Sequence, residues 1–233
     1  MSVEPTTTGA FGPPDADEHT DGPVARKRAL KGKGERTRRA LLDAAEEVFG
    51  SLGYYEASIV KITERAGVAQ GTFYVYFSSK LEIFDEVVAD LNLRVRHAMS
   101  EAARGAATRL EAERLGFAGF FRFTAEHPAL YRVIRQAEFV SPQAMRSHYE
   151  TIIKNYTPFL SDAIASGEIA PIDPSVLAWS LIAVGETIGL RWIVWNDAHE
   201  VPPEVFEGMM TVIGRMLGST GTVPLATEPG GAA

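Results

Sequence analysis

The spacing of apolar residues restricts the fold of this chain more than any other feature. From about residue 41 to residue 217 apolar side chains recur every three or four positions, the pattern of a helix with one buried face. No segment alternates convincingly with the period of two that a half-buried strand requires. The chain is therefore expected to be all-α, with about nine helices. Leu41, Leu42, Ala45, Val48, Phe49 and Leu52 share one face, and Gly53 stops that helix. Ile59, Ile62 and Ala66 mark a short second helix, with Ser58 as N-cap and Gly67 as terminator. Phe73 and Phe77, spaced i, i+4, mark a third. Ser78 or Ser79 then caps a long helix through Leu81, Phe84, Val87, Val88, Leu91 and Val95. Beyond a Gly/Ala-rich break near Gly105, proline sets the rhythm. Further helices are expected over about 107–126, 128–139, 142–167, 174–196 and from 203 through Leu217.

The two ends lack this pattern. Residues 1–30 are rich in Pro, Gly, Asp and Thr and read as a disordered leader, and residues 219–233 read as a loose tail. The N-terminus has no apolar core of a secretion signal. The longest apolar stretch, Val176 to Trp195, contains Glu186 and Arg191, which a membrane span would resist. It reads instead as a buried helix at a protein interface. A soluble, cytoplasmic protein without membrane contact is expected.

Net charge is −7, which taken whole argues against a polyanion partner. The distribution reverses that reading. Residues 1–25 carry five acids and no Lys or Arg, residues 26–80 carry eleven basic against six acidic residues, and residues 81–233 carry twelve against nineteen. A basic segment joined to an acidic body suits a chain that meets a polyanion on one face only. The peak is residues 26–39, with Arg26, Lys27, Arg28, Lys31, Lys33, Arg36, Arg38 and Arg39 against Glu35 alone. A solubilising basic tail would look the same, so this run decides little by itself.

Catalytic and cofactor signatures are missing. The absence of Cys excludes disulfides, zinc–thiolate sites, thiol catalysis and iron–sulfur clusters. His19, His97, His127, His148 and His199 are scattered without metal-ligand spacing. There is no phosphate loop, no nucleophile elbow and no dinucleotide fingerprint. No enzyme activity, cofactor or metal is expected.

The segment from Ser58 to Tyr76 has the parts of a helix-turn-helix. Gly67-Val68-Ala69 forms the turn, where Gly67 suits a left-handed conformation and Val68 plugs the angle between the helices. If Phe73 and Phe77 face the core, then Gln70, Thr72, Tyr74, Val75 and Tyr76 face outward, on a helix whose width fits a DNA major groove. Here the residues RRALLDAAEEVFGSLGYYEASIVKITERAGVAQGTFYVYFSSKLEIFDEVV, Arg38 to Val88, resemble the DNA-binding domain of the tetracycline-repressor (TetR) family of bacterial transcription regulators. The shared pattern is Phe49, Gly53-Tyr54, Ser58, Ile62, Ala66-Gly67-Val68, Gly71-Thr72-Phe73-Tyr74, Tyr76-Phe77 and Lys80. It covers about a quarter of the chain. Two positions depart from it: Ala69 stands where Ser is common, removing a side-chain cap, and Thr63 where Ala is usual.

The resemblance implies a division into a helix-turn-helix domain at residues 31–80, with the motif at about 58–77, and a ligand-binding and dimerisation domain at residues 81–218. It implies a regulator, expected to be a repressor, that binds a palindromic operator as a homodimer and is released by a small apolar or aromatic effector. Carried over by position, Gln70, Thr72 and Val75 are candidates for base edges. Ser58, Lys61, Tyr74, Tyr76 and Lys80 are candidates for phosphates, with Gly71 among the DNA-facing positions. Lys80 in the first turn of a helix is poorly placed for a cation, which fits a phosphate partner. Tyr74 and Val75 also have a plain packing reading. The dimer surface is expected on the last two helices, at Trp179, Ile182, Gly185, Ile188, Gly189, Trp192, Met209 and Ile213. Gly185 and Gly189 at i, i+4 would allow close helix approach, although part of this helix must also be core. Phe117, Phe120, Phe121, Tyr131, Arg135, Tyr149, Ile152 and Tyr156 are candidates to line an effector pocket, each aromatic also being readable as ordinary core. The stretch His127 to Arg135 is similar to family members that sense acyl-CoA esters. The competing expectation is a helical small-molecule-binding or adaptor protein without salt-dependent DNA binding.

Overall fold

Four of the helices begin where a side chain takes up their first backbone N–H groups. Ser58 Oγ accepts from Lys61 N at 3.2 Å, Ser79 Oγ from Glu82 N at 3.1 Å, and Thr108 Oγ1 from Glu111 N at 3.1 Å. Glu82 and Glu111 reach back to the residue before each cap, accepting from Ser78 N at 2.6 Å and Ala107 N at 2.7 Å, which adds a second side-chain acceptor at both starts. Asp173 Oδ1 accepts from Ser175 N and Val176 N, both at 2.9 Å, ahead of Pro174. The computed structural model, which describes residues 23–218 apart from 197 (only the backbone over 23–31), contains nine α-helices and no strand among the described residues. They are α1 Pro23–Leu52, α2 Ile59–Ala66, α3 Gln70–Tyr76, α4 Lys80–Ala102, α5 Arg109–Glu126, α6 Ala129–Val140, α7 Pro142–Ala165, α8 Pro174–Gly189 and α9 Pro203–Met216. The fold is all-α, as the periodicity indicates.

Three boundaries differ from the sequence reading. Helix α1 starts at Pro23, inside the expected leader, because Pro suits the first helical turn and the residues after it are mostly good helix formers. The rest of the expected leader and the expected tail, 219–233, lie outside the described residues. Phe77 is the C-cap of α3 rather than its last helical residue, with extended backbone at φ −139° and ψ 134°. The long apolar helix stops being α-helical at Gly189 and continues as a π-helical turn, Leu190–Val194, closed by Trp195 N donating to Leu190 O at 3.0 Å.

Among the described residues, those from Arg39 onward form a compact unit separate from those up to Arg38. Within that unit, two hydrophobic clusters organise the packing. The first gathers Leu41, Phe49, Ile62, Phe73, Phe77, Phe84, Leu91 and Val133, drawn from α1 to α4 and α6. It runs straight across residue 80, so the expected division there is not a break in the core. The second gathers Phe117, Leu160, Leu177, Leu181, Met210 and Ile213 from α5 and α7 to α9. The stretch Pro174–Val194 is long and apolar enough to cross a membrane. Leu177, Leu181 and Ile193 on it nevertheless point into the second cluster, the behaviour of a core helix.

Candidate nucleic-acid interface and effector cavity

Helices α2 and α3 are joined by a tight turn. Gly67 ends α2 in the left-handed region at φ 67°, where a side chain would be strained. Val68 N then donates to Thr63 O at 3.0 Å, a Schellman-type closure. Ile62 and Phe73, both fully buried, anchor the two helices in the first cluster. Thr63 is also buried, and its hydroxyl is satisfied by donating to Val60 O at 2.9 Å. Fixing Phe73 inward turns the opposite face of α3 to solvent: Gln70 and Gly71 are exposed, Thr72 and Tyr76 half-buried, and Tyr74 and Val75 are 56% and 74% exposed. Ala69 supplies no side-chain cap to α3. A Cβ added at Gly71 would meet nothing within 4 Å, so no packing within the chain explains a helix-weakening Gly there.

A cavity of about 810 Å³ lies among α4 to α8 and the π turn. Its apolar lining includes Val95, Phe117, Phe120, Leu130, Ile134 and Ile152. Buried polar groups break this lining. Glu113 is buried beside Arg109 at 2.9 Å and accepts from the Tyr156 hydroxyl. Burial pushes its carboxyl above the ordinary range, although Arg109 and Tyr156 pull the other way. Glu186 accepts from the Tyr149 hydroxyl at 3.0 Å, while its backbone oxygen accepts from the Tyr131 hydroxyl at 2.7 Å. Burial raises its carboxyl too, and burial likewise raises both tyrosines. His148 is tied to Asn92 of α4, and burial lowers its pKa to about 4, leaving it neutral at pH 7. Arg96, Arg104, Arg109 and Arg135 also line this space and supply positive charge.

The family model for bacterial regulatory proteins of the TetR family matches residues 41–87. The fatty acid metabolism regulator protein of Bacillus subtilis is 31% identical over 167 residues, which span 69% of this chain and 86% of that relative. The chain belongs to the TetR family. The uncharacterized regulator YdgC of B. subtilis is 42% identical over 67 residues, only 34% of its own length. The solved structure of FadR from B. subtilis in complex with stearoyl-CoA shares the fold, with a TM-score of 0.67, 23% identity, and coverage of 75% of this chain and 96% of that one. The protein is a DNA-binding transcription regulator.

In this TetR-family chain the sequence-derived site residues fall into three outcomes. On the helix-turn-helix, Gln70, Gly71, Tyr74 and Val75 are exposed together on α3. Ser58 caps α2, and Lys61 is exposed with its ammonium on Glu56 O at 2.9 Å. Tyr76 packs in part against the first cluster. Lys80 turns away from solvent: its ammonium donates to Tyr54 O at 2.8 Å and Ala57 O at 2.9 Å and sits 4.3 Å from the centre of the Tyr54 ring. That gives a cation in the first turn of α4 a role without a phosphate, as a donor to the Tyr54 and Ala57 carbonyls between α1 and α2. In the basic run, Arg39 is engaged by Asp43 at 2.5 Å and Asp90 at 2.6 Å.

Of the effector candidates, Phe117, Phe120, Tyr131, Arg135, Tyr149, Ile152 and Tyr156 line the cavity. Phe121 does not; it packs in the second cluster, with Phe206 at 6.1 Å between ring centres. The dimer set divides most. Gly185 and Gly189 are buried within the chain: a Cβ on Gly185 would collide with the Phe117 ring, and one on Gly189 would lie 2.5 Å from the Tyr131 hydroxyl. Their missing side chains let α5 and α6 approach α8 rather than admitting a second chain. Met209 and Ile213 are core residues, and Ile182 lines the cavity. Ile188 and Trp192 are half-buried against the second cluster, whereas Trp179 is exposed. The sequence reading missed Asn92, Arg96, Arg109, Glu113 and Glu186. The only signal for them was polarity at positions where a solvated face was the simpler reading.

Proposed function

We propose that this regulator represses transcription as a homodimer on a palindromic operator, and that an apolar effector with an anionic head, of the acyl-thioester type, releases it. The observation that carries this reading is the cavity. Its volume suits a ligand well beyond a small metabolite, its walls are aromatic and aliphatic, and four arginines lie among its lining. The FadR neighbour with stearoyl-CoA supports the same class of ligand. Residues 31–80 serve as the reading unit and residues 81–218 as the sensor. Gln70, Thr72 and Val75 address base edges, while Tyr74, with Tyr76, Ser58 and Lys61, holds phosphates. Gly71 lets the α3 backbone approach the duplex. The basic run 26–39 adds salt-dependent affinity without sequence choice. Dimerisation uses the outward faces of α8 and α9, where Val176, Trp179 and Val212 are exposed. Such a protein works in the cytoplasm, where the DNA is.

Two helices connect sensor to reader. Helix α4 lines the cavity with Val95, Arg96 and Met99, and its first residue, Lys80, holds the carbonyls between α1 and α2. Helix α6 lines the cavity with Tyr131, Ile134 and Arg135, while Arg132 donates to Gly50 O at 3.1 Å and Gln136 accepts from Tyr54 N at 2.5 Å. An effector that favours one arrangement of these helices weakens operator binding by its differential affinity for the two states.

The test is fluorescence anisotropy on an operator selected from random duplexes. Stearoyl-CoA should raise the operator Kd, Tyr74→Ala should weaken binding across sequences, and Gln70→Ala should relax preference at one position. If saturating stearoyl-CoA leaves the Kd unchanged, the effector assignment is wrong. If both variants bind like wild type, the docking is wrong.

A further inference from the structure

The polar groups of the cavity include an ordered chain that neither operator binding nor an anionic head group uses. Arg96 Nε donates to Asn92 Oδ1 at 2.7 Å, which fixes the orientation of the Asn92 amide. Its Nδ2 therefore points to His148, lying 2.9 Å from His148 Nδ1 and 2.9 Å from His148 O. An amide nitrogen only donates, so His148 Nδ1 is the acceptor and the neutral ring carries its proton on Nε2. No partner for Nε2 is found among the described residues, and His148 lines the cavity.

The next residue, Tyr149, stands edge-on to His148 with ring centres 5.0 Å apart and donates its hydroxyl to Glu186 Oε2 at 3.0 Å. Glu186 Oε1 has no hydrogen-bond partner among the described residues, and Glu186 also lines the cavity. Arg135 acts on this carboxyl through its charge, but an oxygen of a largely buried carboxyl with no hydrogen-bond donor remains costly. The cavity thus presents one fixed donor and one open acceptor, bridged by a single tyrosine.

We propose that His148 and Glu186 form a subsite for a hydroxyl group carried on the apolar body of the effector. A hydroxyl is the smallest group that both accepts, from His148 Nε2–H, and donates, to Glu186 Oε1. A cation is disfavoured, because four arginines share the same cavity. The proposal rests on the reading of the cavity as the effector site, and not on the thioester identity of the effector.

Two matched probe pairs test it by calorimetry: 3-hydroxydodecanoyl-CoA against dodecanoyl-CoA, and 2-naphthol against naphthalene. Wild type should bind the hydroxylated member of at least one pair about tenfold or more tightly, the size of a hydrogen bond to a charged or buried partner. That preference, a ratio measured within one protein, should collapse in Glu186→Leu and shrink in His148→Phe. A naphthol preference with no binding of either thioester would sink the thioester reading and leave this subsite standing. Thioesters that bind equally, with no naphthol preference, would do the reverse. Tighter binding of naphthylmethylammonium than of 2-naphthol, persistence of the preference in Glu186→Leu, or no binding by either pair would overturn the proposal.

Discussion

Replacing Lys80 by Met separates a structural cation from a DNA contact. The Met side chain keeps most of the aliphatic stem and removes only the charge and its hydrogen bonds. The ammonium makes two charge-assisted bonds, at 2.8 and 2.9 Å, to the carbonyls of Tyr54 and Ala57. Bonds of this kind contribute about 1.5–3 kcal/mol each when buried. Lys80 is only half-buried, so water replaces part of that loss, and the freed side chain regains rotamer entropy. Adding about 0.5 kcal/mol for the Tyr54 ring contact, the net loss is about 2 kcal/mol. For a chain of this size that is a fall in Tm of about 4–8 °C at fixed protein concentration. Melting followed by circular dichroism measures it. The same protein, titrated with operator over a range of salt, should keep the wild-type slope of log Kd against log salt. A phosphate contact would instead reduce that slope by about 0.9 per protomer. An unchanged Tm together with a reduced slope would refute the structural assignment of Lys80 and return it to the DNA face.

Three further outcomes follow from the packing and the charges. Gly185→Ala should destabilise by about 1–3 kcal/mol through collision with the Phe117 ring, without changing the dimer dissociation constant; a weakened dimer of normal stability would restore that glycine to the interface. Gly71→Ala should stabilise α3 by up to about 1 kcal/mol, since nothing lies within 4 Å of the added carbon, yet weaken operator binding; unchanged operator affinity would remove the close backbone approach to DNA. His148 has a pKa of about 4 in the folded chain against 6.5 for the free side chain, so the unfolded state binds the proton first as pH falls. Its contribution is therefore intact above pH 6.5 and lost between 6.5 and 4, at about 1.4 kcal/mol per pH unit. Denaturant melts at pH 7 and pH 5 should show this loss in wild type and a smaller one in His148→Phe, and equal losses in the two proteins would contradict a buried neutral imidazole.

The sequence by itself determined the helices and the helix-turn-helix, because those depend on local chemistry. Ser58, Thr108 and Asp173-Pro174 take up the first N–H groups of their helices wherever the rest of the chain goes, and Gly67 permits the turn without regard to tertiary contacts. The outward face of α3 follows from fixing Phe73 inward. Tertiary structure alone decided which way an all-apolar helix points. Helix α8 is hydrophobic on nearly every side, so periodicity cannot say that Gly185 faces Phe117 while Trp179 faces out; only the positions of α5 and α6 do. Phe120 and Phe121 are adjacent in sequence, yet the turn of the helix puts one on the cavity and the other against Phe206. Lys80 reads as a phosphate contact, Glu186 as a charge in an apolar stretch, and Asn92 and Glu113 carry no signal beyond their polarity until distant partners explain them. Their roles depend on carbonyls, hydroxyls and an imidazole 23 to 56 residues away, and such pairings exist only once the helices have packed.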